Sequence, residues 1–343
     1  MDRKARTDQC VFWCRDGTVK HHIHSDGDNL KLAISAIVFT VFALSLGDAL
    51  IKRVSTDFPL WQIFVVRSVI AIPVLIVVVK ARRPSASLTP FKVGWTALRS
   101  LMLTFMWVAY YAALPHVALS VAAAVYYTLP LFITLFAALF IGEKVGMQGW
   151  IAVFLGFCGV LLILKPQAED FTAYALLPLI SAILYALAMI ITRTKCKQES
   201  ALVLSFALNL SFIGAGVLAI FLIWLWGPSN AETEAYPFLL GRWISMGTRE
   251  WLVGSVLATA IIIGSVFAAI AYQSGPSSIV STFDFAYLAF AALWGILFFA
   301  EVPDAITVVG IILIATAGIL TVRRRRLWVD SGTMRRGGQT TAL

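Results

Sequence analysis

Ten stretches of this chain run apolar for roughly twenty residues each, about the length that carries a helix across the hydrocarbon core of a bilayer. They are Leu32–Ile51, Pro59–Val79, Val93–Ala113, Val117–Ile141, Gly149–Leu164, Ala173–Thr192, Leu202–Trp226, Leu252–Tyr272, Ser278–Ala300 and Ala305–Val322. No other feature constrains the fold as much. Continuous runs exclude a membrane β-barrel, whose strands alternate apolar and polar residues in segments of about ten. They also exclude a soluble chain: 60% of the 343 residues are hydrophobic and 13% charged, against about 45–50% and about 25% in soluble domains. Little chain remains for an extramembrane catalytic domain. The fold class read from this is all-α, a polytopic membrane protein with ten transmembrane helices.

The linkers are short and carry Pro84, Pro90, Pro166, Pro228, Gly275-Pro276 and Pro303, residues that stop helices. The longest, Gly227–Glu250, contains Trp243 and ends beside Trp251. That places it along the membrane interface, where tryptophans settle. The first 31 residues are polar and show no cleavable signal peptide. With this tail in the cytoplasm, 20 of the 27 Lys and Arg residues fall on the inner side, five fall outside and two lie within spans. The positive-inside bias then predicts a multi-pass protein of the cytoplasmic (inner) membrane with both termini cytoplasmic, residues 1–31 forming one tail and the basic residues 323–343 the other. The net charge of +9 is thereby orientation and contact with the lipid bilayer, Arg323–Arg326 included, and not a nucleic-acid surface.

The chain also repeats itself. Ile34-Ser35-Ala36-Ile37 in the first span returns as Ile180-Ser181-Ala182-Ile183 in the sixth, each followed two residues later by an aromatic, Phe39 or Tyr185. A shift of 158 lays Ser120 on Ser278, Tyr127 on Phe285, Phe136 on Trp294, Phe140 on Phe298 and Glu143 on Glu301. Two blocks of five spans follow, residues 32–165 and 173–322. Five is odd, so the halves are expected to be inverted across the membrane. That is a recurring plan of secondary transporters, with substrate bound between the halves near the midplane.

The sequence resembles the EamA branch of the drug/metabolite transporter superfamily. The residues that carry this are Gly47-Asp48-Ala49-Leu50-Ile51-Lys52, Arg67-Ser68, Leu98-Arg99-Ser100 and Tyr110-Tyr111-Ala112-Ala113-Leu114. Tyr126-Tyr127-Thr128-Leu129-Pro130-Leu131, Gly142-Glu143-Lys144 and Phe283-Asp284-Phe285-Ala286-Tyr287 through Glu301 complete the match. It covers about residues 30–324. The resemblance implies ten helices in two inverted five-helix repeats and the transport of a metabolite, such as an amino acid, riboflavin or S-adenosylmethionine. It does not choose among them.

Four charges fall inside the spans: Asp48, Arg67, Arg99 and Asp284. Each costs at least about 2.5–3.5 kcal/mol at the bilayer centre, so each is expected to face a partner or a water-filled cavity. Depths at about 1.5 Å per residue predict an outer pair, Asp48 with Arg67, and an inner pair, Arg99 with Asp284. Arg67 or Arg99 is a candidate receptor for a substrate carboxylate or other anion, because the guanidinium fork binds carboxylate bidentately. The competing reading is an Arg–Asp clamp that only ties helices together. Asp48 also stands four residues before Lys52, where a local pair accounts for it without function. Asp284 is a candidate for substrate binding and for a protonation site coupled to a proton gradient.

Tyr111, Tyr126 and Trp107 are candidate pocket residues, with tyrosine hydroxyls as handles on a planar or apolar substrate. They belong to an aromatic cluster that also holds Tyr110, Tyr127, Phe283, Phe285, Tyr287 and Trp294. Asn209 is the remaining mid-span polar residue. Pro73 and Pro130 are expected to kink their helices. Glu143 and Glu301, related by the repeat, stand at helix ends on opposite membrane faces as gate latches or as plain interfacial carboxylates. Cys10, Cys14, His21, His22 and His24 fit no standard zinc spacing, so no metal or cofactor is expected. No Gly-x-x-x-x-Gly-Lys-Ser/Thr loop is present, so ATP is not the direct driver.

The function expected is secondary active transport of a small organic metabolite, amino-acid-like or vitamin-like, by alternating access, with protons as a coupling ion to test. A membrane-embedded enzyme or a non-transporting sensor is the alternative. All four histidines lie outside the spans, which disfavours the enzyme. Whether the chain acts as a homodimer stays open.

Overall fold

The computed structural model describes residues 30–82, 87–141, 147–164, 172–275, 280, 283–284, 286–301, 304–313 and 315–317. Among these the chain forms helices and no strands. The N-terminal Cys/His cluster, Glu143 and the C-terminal arginines lie outside the described residues.

The helices are α1 (Leu30–Val54), α2 (Leu60–Arg82), α3 (Val93–Ala113), α4 (Leu119–Tyr126), α5 (Leu129–Ile141) and α6 (Met147–Leu164). After a single 3₁₀ turn over Ala173–Leu176 come α7 (Leu177–Thr194), α8 (Ala201–Trp226), α9 (Asn230–Ala235), α10 (Pro237–Leu240), α11 (Thr248–Ser274) and α12 (Ala286–Phe299). The last described helix, α13, runs over Ala305–Ala317. Among the described residues, six stretches are long and apolar enough to cross a membrane: α1, α2, α8, α11, Val121–Phe140 and Ala173–Thr194. α12 and α13 are shorter apolar helices.

One expectation about the helices needs correction. The fourth apolar run is not one helix. It breaks at Tyr127 and Thr128, between α4 and α5. Pro130, second residue of α5, has no N–H to continue the α4 ladder. Thr128 takes over as a cap: its hydroxyl donates to the Val125 carbonyl (2.9 Å) and its own carbonyl accepts from Leu131 N (2.9 Å). The connector 227–250 packs over the first turn of α2. Ser229 and Glu232 form a capping box that starts α9. Trp61 Nε1 then donates to the Leu239 carbonyl (2.8 Å), while Gln62 donates to the Ile244 carbonyl (2.8 Å) and accepts from Ile244 N (2.9 Å).

In lipid there is little hydrophobic drive between helices, so close packing and buried polar contacts hold them together. α1 lies against α11 and α12, α7 against α3 and α5, and α2 against α8; α3 also meets α8, as α11 meets α2. α8 is apolar around its whole circumference, the pattern of a helix immersed in an apolar medium. It turns Leu210, Val217, Leu218, Phe221 and Leu222 outward, and keeps Ser205, Asn209 and Phe212 inside.

The α2–α8 crossing depends on Gly216. A Cβ there would meet the Trp61 carbonyl oxygen at 2.9 Å and Val65 Cγ2 at 2.7 Å, and backbone cannot yield as a side chain can. Gly216→Ala is expected to destabilise the protein by about 1–3 kcal/mol through overpacking. Gly214, two residues away, faces open space. Gly214→Ala is therefore expected to be neutral or slightly stabilising, since alanine is the better helix former. Thermal unfolding of the two variants in detergent checks the contrast.

Candidate functional site

Asp48, on α1, is 2% exposed and carries a hydroxyl on each carboxylate oxygen. Tyr111 of α3 donates to Oδ1 (3.1 Å), and Tyr287 of α12 donates to Oδ2. With the Tyr287 hydrogen committed to Asp48, Tyr110 donates to the Tyr287 oxygen (3.0 Å). Arg67 Nη1 meets the Tyr111 hydroxyl at 3.4 Å. The chain Arg67–Tyr111–Asp48–Tyr287–Tyr110 therefore joins helices α2, α3, α1 and α12 through side chains alone. The expected outer ion pair is not a direct one: the Tyr111 hydroxyl stands between Arg67 and Asp48.

The expected inner pair does not form. Arg99 donates from Nε to Thr192 Oγ1 (2.7 Å) and from Nη1 to the Leu204 carbonyl (3.4 Å). Asp284 instead accepts from Tyr272 of α11 (2.7 Å). Arg99 is satisfied by oxygens already waiting on α7 and in the first turn of α8, which a count of charges alone does not reveal. The local Asp48–Lys52 pair is absent too. Lys52 reaches Glu301 Oε1 at 2.7 Å and the Val117 carbonyl at 2.7 Å.

Asp48 and Asp284 face one cavity of about 20 Å³, room for a water molecule and little more. Its walls are Thr40, Val41 and Leu44 of α1, Trp107 and Tyr110 of α3, Tyr126, Tyr127 and Leu129 around the α4–α5 break, Tyr185 of α7 and Tyr287 of α12. The break thus places two tyrosines at the cavity. Rings pack face and edge around it: Tyr127 stacks on Tyr287 at 4.8 Å, and Tyr126 meets Tyr110 at 5.2 Å and Tyr185 at 6.0 Å. Tyr111 packs behind this wall against Trp107 at 4.9 Å. Arg67 and Arg99 are not among the described lining residues. Asn209 donates to Ser205 of its own helix (2.9 Å), so it joins no second helix through that amide.

Polar contacts tie helices together at both ends of the bundle. At the end where α1 and α12 finish, Glu301 Oε1 holds Lys52 while Oε2 accepts from Leu119 N (2.9 Å) and so caps α4. Ala300 presents it from a left-handed backbone, φ 53°, a conformation that costs a non-glycine residue about 1–2 kcal/mol. At the opposite end Glu199 accepts from the backbone of Phe91 and Lys92 at the start of α3 (3.1 and 2.8 Å). Arg193 donates to the Gly275 carbonyl (2.6 Å), and Gln273 donates to the carbonyls of Cys196 and Glu199.

Sequence reasoning passed over Lys52, Glu199, Tyr185 and Tyr272 as site residues. Lys52 entered only as an outside charge, a motif residue and a local partner for Asp48, and Tyr272 closes its run, where a tyrosine reads as an interfacial belt residue. Tyr185 did carry a signal, as the aromatic that follows the repeated Ile-Ser-Ala-Ile.

The described helices form an apolar bundle around a small, largely aromatic cavity that two buried carboxylates face. Residues 31–165 match the EamA-like transporter family. The chain is 28% identical over 301 residues to the pseudopaline exporter CntI of Pseudomonas aeruginosa, covering 87% of this chain and 99% of that one. It is 28% identical to a riboflavin transporter of Vibrio cholerae, over 76% of this chain and 82% of that one. It is 24% identical to an S-adenosylmethionine uptake transporter of Rickettsia prowazekii, over 86% and 95%. A crystal structure of a protein 18% identical in sequence superposes with a TM-score of 0.58, covering 85% of this chain and 96% of that one, and so shares the fold. Residues 31–165 are thus an EamA-like transporter domain by that match, and these relatives, aligned along most of the chain, are named exporters and transporters of small metabolites.

Proposed function

We propose that this protein is a secondary active transporter that moves a small organic metabolite across the cytoplasmic membrane by alternating access between two inverted halves. The carrying observation is the small cavity lined from both halves of the chain, with polar contacts tying the helices at either end of the bundle. A cavity with room for one water holds no metabolite, so this is a closed state between two open ones. The packing pattern supports inversion: exchanging α1 with α7, α2 with α8, α3 with α11 and α5 with α12 turns the α1–α11 crossing into α3–α7, α1–α12 into α5–α7 and α3–α8 into α2–α11, all of which are present. Ten spans with both termini in the cytoplasm complete the proposal.

Substrate in this reading enters between Asp48 and Asp284, against Trp107 and Tyr126, once one seal opens. Lys52–Glu301 forms the outer seal, and the Glu199 and Arg193 contacts the inner. Arg99 ties α3 to α7 and α8. The two carboxyl groups have hydroxyl partners in the closed state, and exchange of a proton at Asp284 when the cavity hydrates couples transport to a proton gradient.

The test is reconstitution of the purified protein in liposomes with a panel of labelled amino acids, riboflavin and S-adenosylmethionine, in both directions, with and without a pH gradient. Saturable movement of one class is expected. Background rates for every class, in a preparation that retains its fold, overturn the proposal.

A further inference from the structure

Arg67 holds an unspent binding edge. The residue is 2% exposed, and its guanidinium carbon lies 4.6 Å from the Phe64 ring centroid and 4.4 Å from that of Phe212. Two aromatic rings thus fix the plane of the group by cation–π attraction. One nitrogen, Nη1, is used by Tyr111. Nε and Nη2, which point the same way along one edge of the fork, are buried and meet no acceptor among the described residues.

That is a costly arrangement. A buried donor left unmade costs about 1–3 kcal/mol and more when charged. Arg99, equally buried in the same bundle, has found an acceptor for its Nε. The nearest carboxylate to Arg67 is reached only through a tyrosine hydroxyl. A planar donor edge held rigid, buried and empty has the geometry of a receptor for two oxygens in one plane, and carboxylate is the group that matches a guanidinium edge bidentately. On α8, one turn before Phe212, Asn209 Oδ1 is likewise buried without a donor.

We infer that the Nε–Nη2 edge of Arg67 receives the carboxylate of the transported metabolite, so that the substrate class is carboxylate-bearing and the neutral amide of the same compound is rejected. The inference rests on the transporter reading above and deepens it. Tyr111 is the hinge between receptor and cavity, since its hydroxyl touches both Arg67 and Asp48.

The test uses the full-length protein in liposomes and the metabolite that the panel identifies as transported. In the wild type, excess L-phenylalanine or 3-phenylpropionate is expected to compete with that metabolite, while L-phenylalaninamide is not. Arg67→Lys keeps the charge but loses the planar fork. It is expected to raise KM for the metabolite at least about tenfold, whereas Arg99→Lys leaves the preference for acid over amide in place. Equal competition by acid and amide, competition by neither acid, or an unchanged KM in Arg67→Lys overturns the inference. If Arg67→Lys fails to fold, the wild-type competition decides alone. Absence of transport for every panel compound defeats the transporter reading itself, a result distinct from each of these.

Discussion

Glu301→Ala opens the outer end of the bundle. The Lys52 and Glu301 side chains are only 13% and 22% exposed, so the ion pair is partly shielded and worth more than a surface pair. The substitution removes three things at once: the counter-charge of Lys52, the acceptor for Leu119 N and the tie between α1, α4 and the end of α12. Loss of a helix cap costs about 1 kcal/mol, and an orphaned, half-shielded ammonium adds about 1–2 kcal/mol. A bias of about 2–3 kcal/mol raises the outward-open population by roughly 30- to 150-fold. Thr40 lines the cavity, and Thr40→Cys is nearly isosteric. In that background Glu301→Ala is expected to speed labelling by a membrane-impermeant thiol reagent added outside by at least about tenfold. Glu301→Gln, which keeps the cap and loses the charge, is expected to fall between. Equal labelling rates in all three leave Lys52–Glu301 with no part in closure.

The two buried aspartates are expected to fail differently when made neutral. Asp48 accepts from two tyrosines and anchors the chain from Arg67 to Tyr110. In Asp48→Asn one of the two oxygens becomes a donor facing a donor. Transport is expected to fall by about 100-fold, the equivalent of about 2.7 kcal/mol. Among the described residues Asp284 has one hydroxyl partner, Tyr272, and an asparagine oxygen accepts from it as well. Asp284→Asn is expected to retain part of its exchange yet lose its dependence on pH and its accumulation against a gradient. Measuring exchange and gradient-driven uptake side by side separates the two. Gradient-driven accumulation by Asp284→Asn removes that residue from coupling.

Much of this bundle was legible because helices in lipid are written in long apolar runs. α3 begins at Val93 and ends at Ala113 as the run does, and α8 ends at Trp226 where Gly227 takes a left-handed backbone, φ 62°. The break between α4 and α5 was legible only as a kink at Pro130, because a proline does not say whether neighbouring residues reconnect the ladder. The four buried charges were found by simple scarcity. Their partners were not, since a guanidinium satisfied by Thr192 and a backbone carbonyl leaves no mark in a list of charges. The Lys52–Glu301 contact spans 249 positions and joins two residues that each looked interfacial. The tyrosine hydroxyls around Asp48 come together from α3 and α12, and only the packing of those helices on α1 brings them there.

The central claim is that the cavity between Asp48 and Asp284 is the transport path and opens to each side in turn. Thr40→Cys tests it in right-side-out and inverted vesicles, treated with the same impermeant thiol reagent. The account predicts that the cysteine reacts from both faces and that modification stops transport. Reaction from one face alone, or full transport by the modified protein, contradicts it.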